Sequence, residues 1–194
     1  QMYSTVDSVI VGRYVGDKAL SAIGTTLPII NLLLVLFMAV STGAGIMVAQ
    51  YYGAKAKESL SRSIGNAMTL VCVSSLVVMA IGIPLSGSLL RLTRTPVETF
   101  DMARSYLTII LWGVLGLGFY NIVSGILRGL GNSVFPLLTL LLTSCLNIVL
   151  DIWFVAGLDM GVAGAAWATI ISVAISAIVC IVKLWRMKDV VQID

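Results

Sequence analysis

Residues Thr25–Tyr51 read TTLPIINLLLVLFMAVSTGAGIMVAQY, 27 positions without a charge. About 20 helical residues cross the roughly 30 Å of hydrocarbon in a bilayer. This stretch alone therefore predicts a membrane span. Long apolar runs follow at Ile64–Leu90, Tyr106–Leu127, Val134–Ala156 and Val162–Trp185, and a short one, Val6–Val15, precedes it. In lipid the backbone must satisfy its own hydrogen bonds, and these runs are too long for barrel strands. The expected fold is an all-α integral membrane protein, a six-helix bundle with helices over 1–15, 25–51, 64–90, 106–127, 134–156 and 162–185.

Composition agrees. Of 194 residues, 59% are hydrophobic and 11% are charged, and mean hydropathy is +1.05. A soluble domain of this size cannot hide so much apolar surface. Soluble enzymes, disordered chains and nucleic-acid binders are excluded, since the twelve Lys and Arg are scattered and form no continuous basic face. The three cysteines, Cys72, Cys145 and Cys180, sit inside apolar runs without metal-ligand spacing and read as packing residues. Histidine is absent, so proton chemistry falls to carboxylates.

The first run has about half the length that a span needs. The first helix is therefore expected to have lost its beginning, and the chain to be a piece of a longer transporter. Charge is expected to concentrate in the links Gly12–Gly24, Tyr52–Ser63, Arg91–Arg104, Arg128–Ser133 and Gly157–Gly161. Counted on alternate sides, Lys55, Lys57, Arg62, Arg128, Lys183, Arg186 and Lys188 face Arg13, Lys18, Arg91, Arg94 and Arg104. The richer side points to the cytoplasm. Pro28 is expected to enter the second helix, Pro84 to lie near the end of the third, and Pro136 to open the fifth, where its missing N–H costs nothing. Gly113, Gly116 and Gly118 are expected to serve close packing rather than a hinge.

Two of the nine acids, Asp7 and Asp151, lie inside apolar runs. A charge at membrane depth costs several kcal/mol and is usually turned inward for function. Asn147, four residues before Asp151, shares its helix face. Counting helical rise from the nearest interface places Asp7 and Asp151 roughly 9 Å deep, and Thr169 roughly 10 Å deep from the same side. Carboxylates, amide and hydroxyl thus share one layer. All are oxygen ligands of the type that a hard cation takes. Two acids in low dielectric repel, which makes proton uptake an expected alternative. Asn31 and Asn121 are candidates for a substrate pathway, with interhelical hydrogen bonding as their other role. Gln50 and Asn66 read as interfacial. Trp112, Trp153, Trp167 and Trp185 read as interfacial anchors and packing residues.

Ordered segments carry a resemblance. They are Val6-Asp7-Ser8-Val9-Ile10-Val11-Gly12-Arg13, Ala19-Leu20-Ser21-Ala22-Ile23-Gly24 and Val48-Ala49-Gln50-Tyr51-Tyr52-Gly53-Ala54-Lys55. Leu127-Arg128-Gly129-Leu130-Gly131-Asn132-Ser133 follows with Pro136, then Leu146-Asn147-Ile148-Val149-Leu150-Asp151 and Gly161-Val162-Ala163-Gly164-Ala165-Ala166-Trp167-Ala168-Thr169. In their order and spacing the chain resembles multidrug and toxic compound extrusion (MATE) transporters. The resemblance implies one six-helix lobe of a twelve-helix exporter and a cytoplasmic Gly53-Ala54-Lys55 loop. It also implies a cation site on Asp7, Asn147, Asp151 and Thr169. Its expected role is Na⁺- or H⁺-coupled export of organic cations, drugs or other small amphipathic solutes across the plasma (inner) membrane. No cofactor is expected beyond the coupling ion. The expected partners are lipid, a small-molecule substrate, and a second lobe or second copy, with no nucleic acid.

A lipid-linked oligosaccharide flippase of the wider superfamily is a related alternative, against which the Asn and Asp of the fifth helix weigh. An intramembrane aspartyl protease also needs two membrane carboxylates. Its Gly-x-Gly-Asp signature is missing, because Ile148-Val149-Leu150 precedes Asp151. The chain is not expected to be an enzyme.

Overall fold

The computed structural model describes residues 2–187. Its elements are α1 (Met2–Tyr14), α2 (Asp17–Gly53), α3 (Lys57–Leu92), a 3₁₀ turn (Val97–Thr99), α4 (Phe100–Trp112), α5 (Val114–Gly129), α6 (Val134–Asp151), a π-turn (Ile152–Gly157) and α7 (Gly161–Arg186). Lys188 lies outside the described residues. α2, α3, α6 with its π-turn, and α7 are each long and apolar enough to cross a membrane, and α4 with α5 supplies a fifth span. The protein is an all-α, multi-pass membrane protein.

The helices run past the apolar runs that announce them. α2 starts at Asp17 rather than at 25, α3 at Lys57 rather than at 64, and α4 at Phe100 rather than at 106. Hydropathy marks where a helix meets hydrocarbon, whereas the helix itself continues into the headgroup layer. Most of the charge expected in links therefore rides on helix ends. The early start of α2 also places Pro28 inside that helix, and Pro84 lies inside α3. Pro136 sits in the first turn of α6 as expected. A two-residue link joins α1 to α2, and Gly16 there has φ +112°, a backbone region costly for any residue with a Cβ.

The fourth segment departs from expectation. It is not one helix over 106–127 but two, meeting at Gly113 with a bend of 48°. Packing and bending coincide here, because a Cβ at Gly113 would run into the side chain of Ile170 on α7. Gly116 and Gly118 keep the packing role. A Cβ on Gly116 would lie 3.3 Å from Ala174 Cα, and one on Gly118 would lie 2.7 Å from Ser75 Oγ.

One apolar cluster joins α2, α3, α4 and α5 around Phe37, Val71, Leu107 and Ile126. A second, around Val11, Ile23, Ile110 and Ala165, ties α1 to α2, α4 and α7. Leu32, Val35, Leu137, Leu141 and Trp185 are exposed, the inside-out surface that a lipid solvent selects. All four tryptophans are exposed on this surface. Gln50 and Asn66 are exposed as well.

Backbone meets backbone where α2 crosses α5. A Cβ on Gly45 would lie 2.9 Å from the carbonyl oxygen of Gly125, and one on Gly125 would collide with Ser41. Ser41 Oγ donates to the Asn121 carbonyl oxygen at 2.6 Å across this crossing. Gly125→Ala is expected to lower stability by about 1–3 kcal/mol through overpacking. Gly65, in α3, has nothing within 4 Å of its added Cβ, so Gly65→Ala is expected to raise stability by up to about 1 kcal/mol. Thermal unfolding in one detergent checks both, and opposite signs are required.

Candidate cation site

α1, α6 and α7 converge on the layer read from the sequence. Asp7 is 1% exposed, Asn147 1% and Asp151 0%. Thr169 is half-buried. Its hydroxyl is the knot: it donates toward Asp7 Oδ2 at 3.0 Å and toward the Ala165 carbonyl oxygen at 3.0 Å, and it accepts from Asn147 Nδ2 at 3.3 Å. Asp7 and Asp151 interact electrostatically across the α1–α6 contact. The structure thus brings all four residues together.

Local folding explains the placement. Asn147 and Asp151 lie one turn apart on α6 and turn the same face inward. Directly after Asp151 the helix widens into the π-turn, where the Leu158 N–H bonds the Trp153 carbonyl oxygen at 2.9 Å. Such π-turns mark functional sites more often than chance. Small residues at Gly164, Ala165, Ala166 and Ala168 of α7 are buried, which lets α7 approach closely.

Four buried oxygens in this cluster have no hydrogen-bond donor: Asp7 Oδ1, Asn147 Oδ1 and both carboxylate oxygens of Asp151. A buried polar atom without a partner costs about 1–3 kcal/mol, and more when charged. Two species satisfy such a set. A proton can lie between the two carboxyls, or a hard cation can be met by several of the oxygens at once. The residues present therefore fit Na⁺ or H⁺.

A cavity of about 210 Å³ adjoins Asp7. Asp7 and Thr169 stand on its wall, with Tyr106, Tyr120, Asn121 and Thr143 among otherwise apolar neighbours. Asn121 therefore lines the space, while its side chain also donates to the Leu117 carbonyl oxygen at 2.8 Å. Asn31 does not line it: Ile30 and Leu34 of α2 do, and Asn31, a third of a turn round, is exposed. Two groups here escaped the sequence reading. Tyr106 is 3% exposed and interacts electrostatically with both acids. It went unnoticed because it opens an apolar run. Thr143 lies one turn before Asn147, a spacing that could have found it.

A family model described as MatE matches residues 1–153. The chain belongs to the MatE family. This MatE chain is 30% identical to the probable multidrug resistance protein YoeA of Bacillus subtilis, over 97% of the chain and 42% of that relative. It is 33% identical to the probable multidrug resistance protein YpnP of the same organism, over 90% of the chain and 39% of that relative. Among solved structures it superposes on MATE in the straight conformation with a TM-score of 0.89 at 29% identity, covering 97% of this chain and 42% of that one. The MatE chain thus spans about two fifths of the length of the curated relatives that it matches.

Thr169→Val keeps shape but removes the hydroxyl that joins Asp7 to Asn147. It is expected to lower stability by about 1–3 kcal/mol, because two buried polar groups lose their partner. Thr169→Ser is expected to restore most of the loss. Thermal unfolding of the two variants beside the unaltered chain checks this.

Proposed function

We propose that the chain forms one lobe of a cation-coupled multidrug exporter of the plasma membrane, spanning 1–194. Asp7, Asn147, Asp151 and Thr169 bind the coupling ion, Na⁺ or H⁺. The observation that carries this reading is the set of four donor-less oxygens on Asp7, Asn147 and Asp151, buried in a membrane bundle. The similarity to two probable multidrug resistance proteins of Bacillus subtilis supports the transport role.

The mechanism follows from charge. With the site empty of cation, two carboxylates face each other in low dielectric. That arrangement is costly and favours a conformation in which water reaches them. Binding of a cation neutralises the pair and lets α1, α6 and α7 close around it. A solute bound in the adjoining cavity is favoured in one state and disfavoured in the other, which is the differential affinity that coupling needs. The apolar cavity wall with its tyrosines and Asn121 suits an amphipathic organic cation, and Asn121 contributes a polar contact to it. The cycle needs no covalent step, so the role is that of a transporter rather than an enzyme. A complete path requires a second lobe or a second copy of this chain.

The test is cation binding to the purified chain, followed as radioactive Na⁺ retention and as proton release on Na⁺ addition, together with efflux of a fluorescent organic cation from proteoliposomes under imposed Na⁺ or H⁺ gradients. Asp151→Asn keeps the volume and removes the charge. It is expected to fold and insert at least as well as the unaltered chain, to lose cation binding by at least about tenfold, and to abolish gradient-driven efflux. Equal cation binding by Asp151→Asn would overturn the reading.

A further inference from the structure

A second polar feature lies away from the acids, on the exposed side of α4. The inward face of that helix is Ala103, Tyr106, Leu107, Ile110 and Leu111, all buried. Its other face carries Asp101, Arg104, Ser105 and Thr108. Together with Ile109, Trp112 and Trp167 of α7 they line an open groove of about 500 Å³. From Asp101 to Thr108 the polar stretch descends roughly 10 Å, and Trp112 lies about 6 Å deeper. The groove is thus polar at its upper end and aromatic below, the same vertical order as a phospholipid.

Neither of its two charges is held in an ion pair among the described residues. Among the described residues, the ion pairs are Lys18 with Glu98 at 3.3 Å and Arg62 with Glu58 at 2.6 Å. Glu98, the acid nearest in sequence on the same rim, is therefore engaged elsewhere. Asp101 and Arg104, one helical turn apart, take no part in either pair, and both are exposed. Charges this close to hydrocarbon are expensive without a counter-charge. A ligand that meets both must carry an anion and a cation a few ångströms apart, with a net charge of zero.

We propose that the α4–α7 groove binds the headgroup of a zwitterionic, primary-amine phospholipid, phosphatidylethanolamine. The Arg104 guanidinium takes the phosphate, for which its planar fork is suited. The hydroxyls of Ser105 and Thr108 donate to phosphate and ester oxygens, and the Asp101 carboxylate accepts from the ammonium. One acyl chain then runs down past Ile109 and lies against Trp112 and Trp167. Phosphatidylcholine lacks the N–H donors that Asp101 needs. Its quaternary ammonium would want an aromatic face, and the tryptophans lie at acyl depth instead. Phosphatidylglycerol offers no cation and leaves Asp101 facing another anion.

The tryptophans are built-in reporters. Trp153→Phe and Trp185→Phe, both at exposed positions outside the groove, leave Trp112 and Trp167 as the fluorophores. The chain is placed in nanodiscs of equal parts phosphatidylethanolamine, phosphatidylglycerol and phosphatidylcholine, with one lipid at a time brominated midway along its acyl chain. Brominated phosphatidylethanolamine is expected to be preferred roughly fivefold over brominated phosphatidylglycerol as judged by quenching. Asp101→Asn is expected to abolish the preference for the amine, and Arg104→Gln to weaken quenching by all three phospholipids together. Equal quenching by all three lipids in the unaltered groove would reduce the site to ordinary lipid contact and overturn the proposal. So would a preference for phosphatidylglycerol. Absence of quenching by any lipid would show the groove covered by protein, with the same consequence. The lipid selectivity of the unaltered groove decides the matter even if a variant fails to fold, and it is independent of the cation reading.

Discussion

Asp7 and Asp151 are buried side by side in a bundle whose solvent is hydrocarbon. Their oxygens are almost wholly buried, so the protein has to supply the partners or take them up. The Thr169 hydroxyl, the Asn147 amide and the narrow approach of α7 all answer that demand. They answer it only in part, since oxygens on three residues stay without donors. A fully satisfied cluster would be a rigid pin. A partly satisfied one keeps acceptor oxygens open on Asp7, Asn147 and Asp151.

The sequence exposed the cluster because helical rise is a fixed ruler. Asp7, Asp151 and Thr169 could be placed in one layer by counting residues from the nearest interface, and the four-residue spacing of Asn147 fixed its face. Counting gives depth but not azimuth. Asn31 and Asn121 looked alike in the sequence, yet one faces outward and the other lines the cavity. Helix ends were misjudged for a related reason. Apolar runs report contact with lipid, and Asp17–Gly24 and Lys57–Ser63 are helical without it. The break at Gly113 was hidden because a glycine that admits Ile170 and a glycine that admits a bend are the same residue in a sequence. The π-turn left no trace either, since Ile152–Gly157 is compositionally an ordinary apolar helix end.

The lobe is assembled with two kinds of helix contact. At the α2–α5 crossing, glycines bring main chains together and leave no slack. At the α6–α7 contact, the seam consists of Thr139, Thr143 and Asn147 on one side and Thr169, Ser172, Ser176 and Cys180 on the other. The first kind resists change in spacing. The second is chemically richer and runs into the acids.

Most hydroxyls along that seam give their proton back to their own helix. Thr139 donates to the Phe135 carbonyl oxygen, Thr143 to Thr139, Ser172 to Ala168 and Ser176 to Ser172. Across the seam, Thr143 meets Ser176, and Cys180 meets Thr139 at 3.5 Å. Each helix thus carries its own hydrogen-bond supply with it. If α6 and α7 slide along each other, these four hydroxyls keep their acceptors on the way, while the Asn147–Thr169 bond has to be exchanged. The seam behaves as a bearing, and the glycine crossing between α2 and α5 is the frame in which it is mounted.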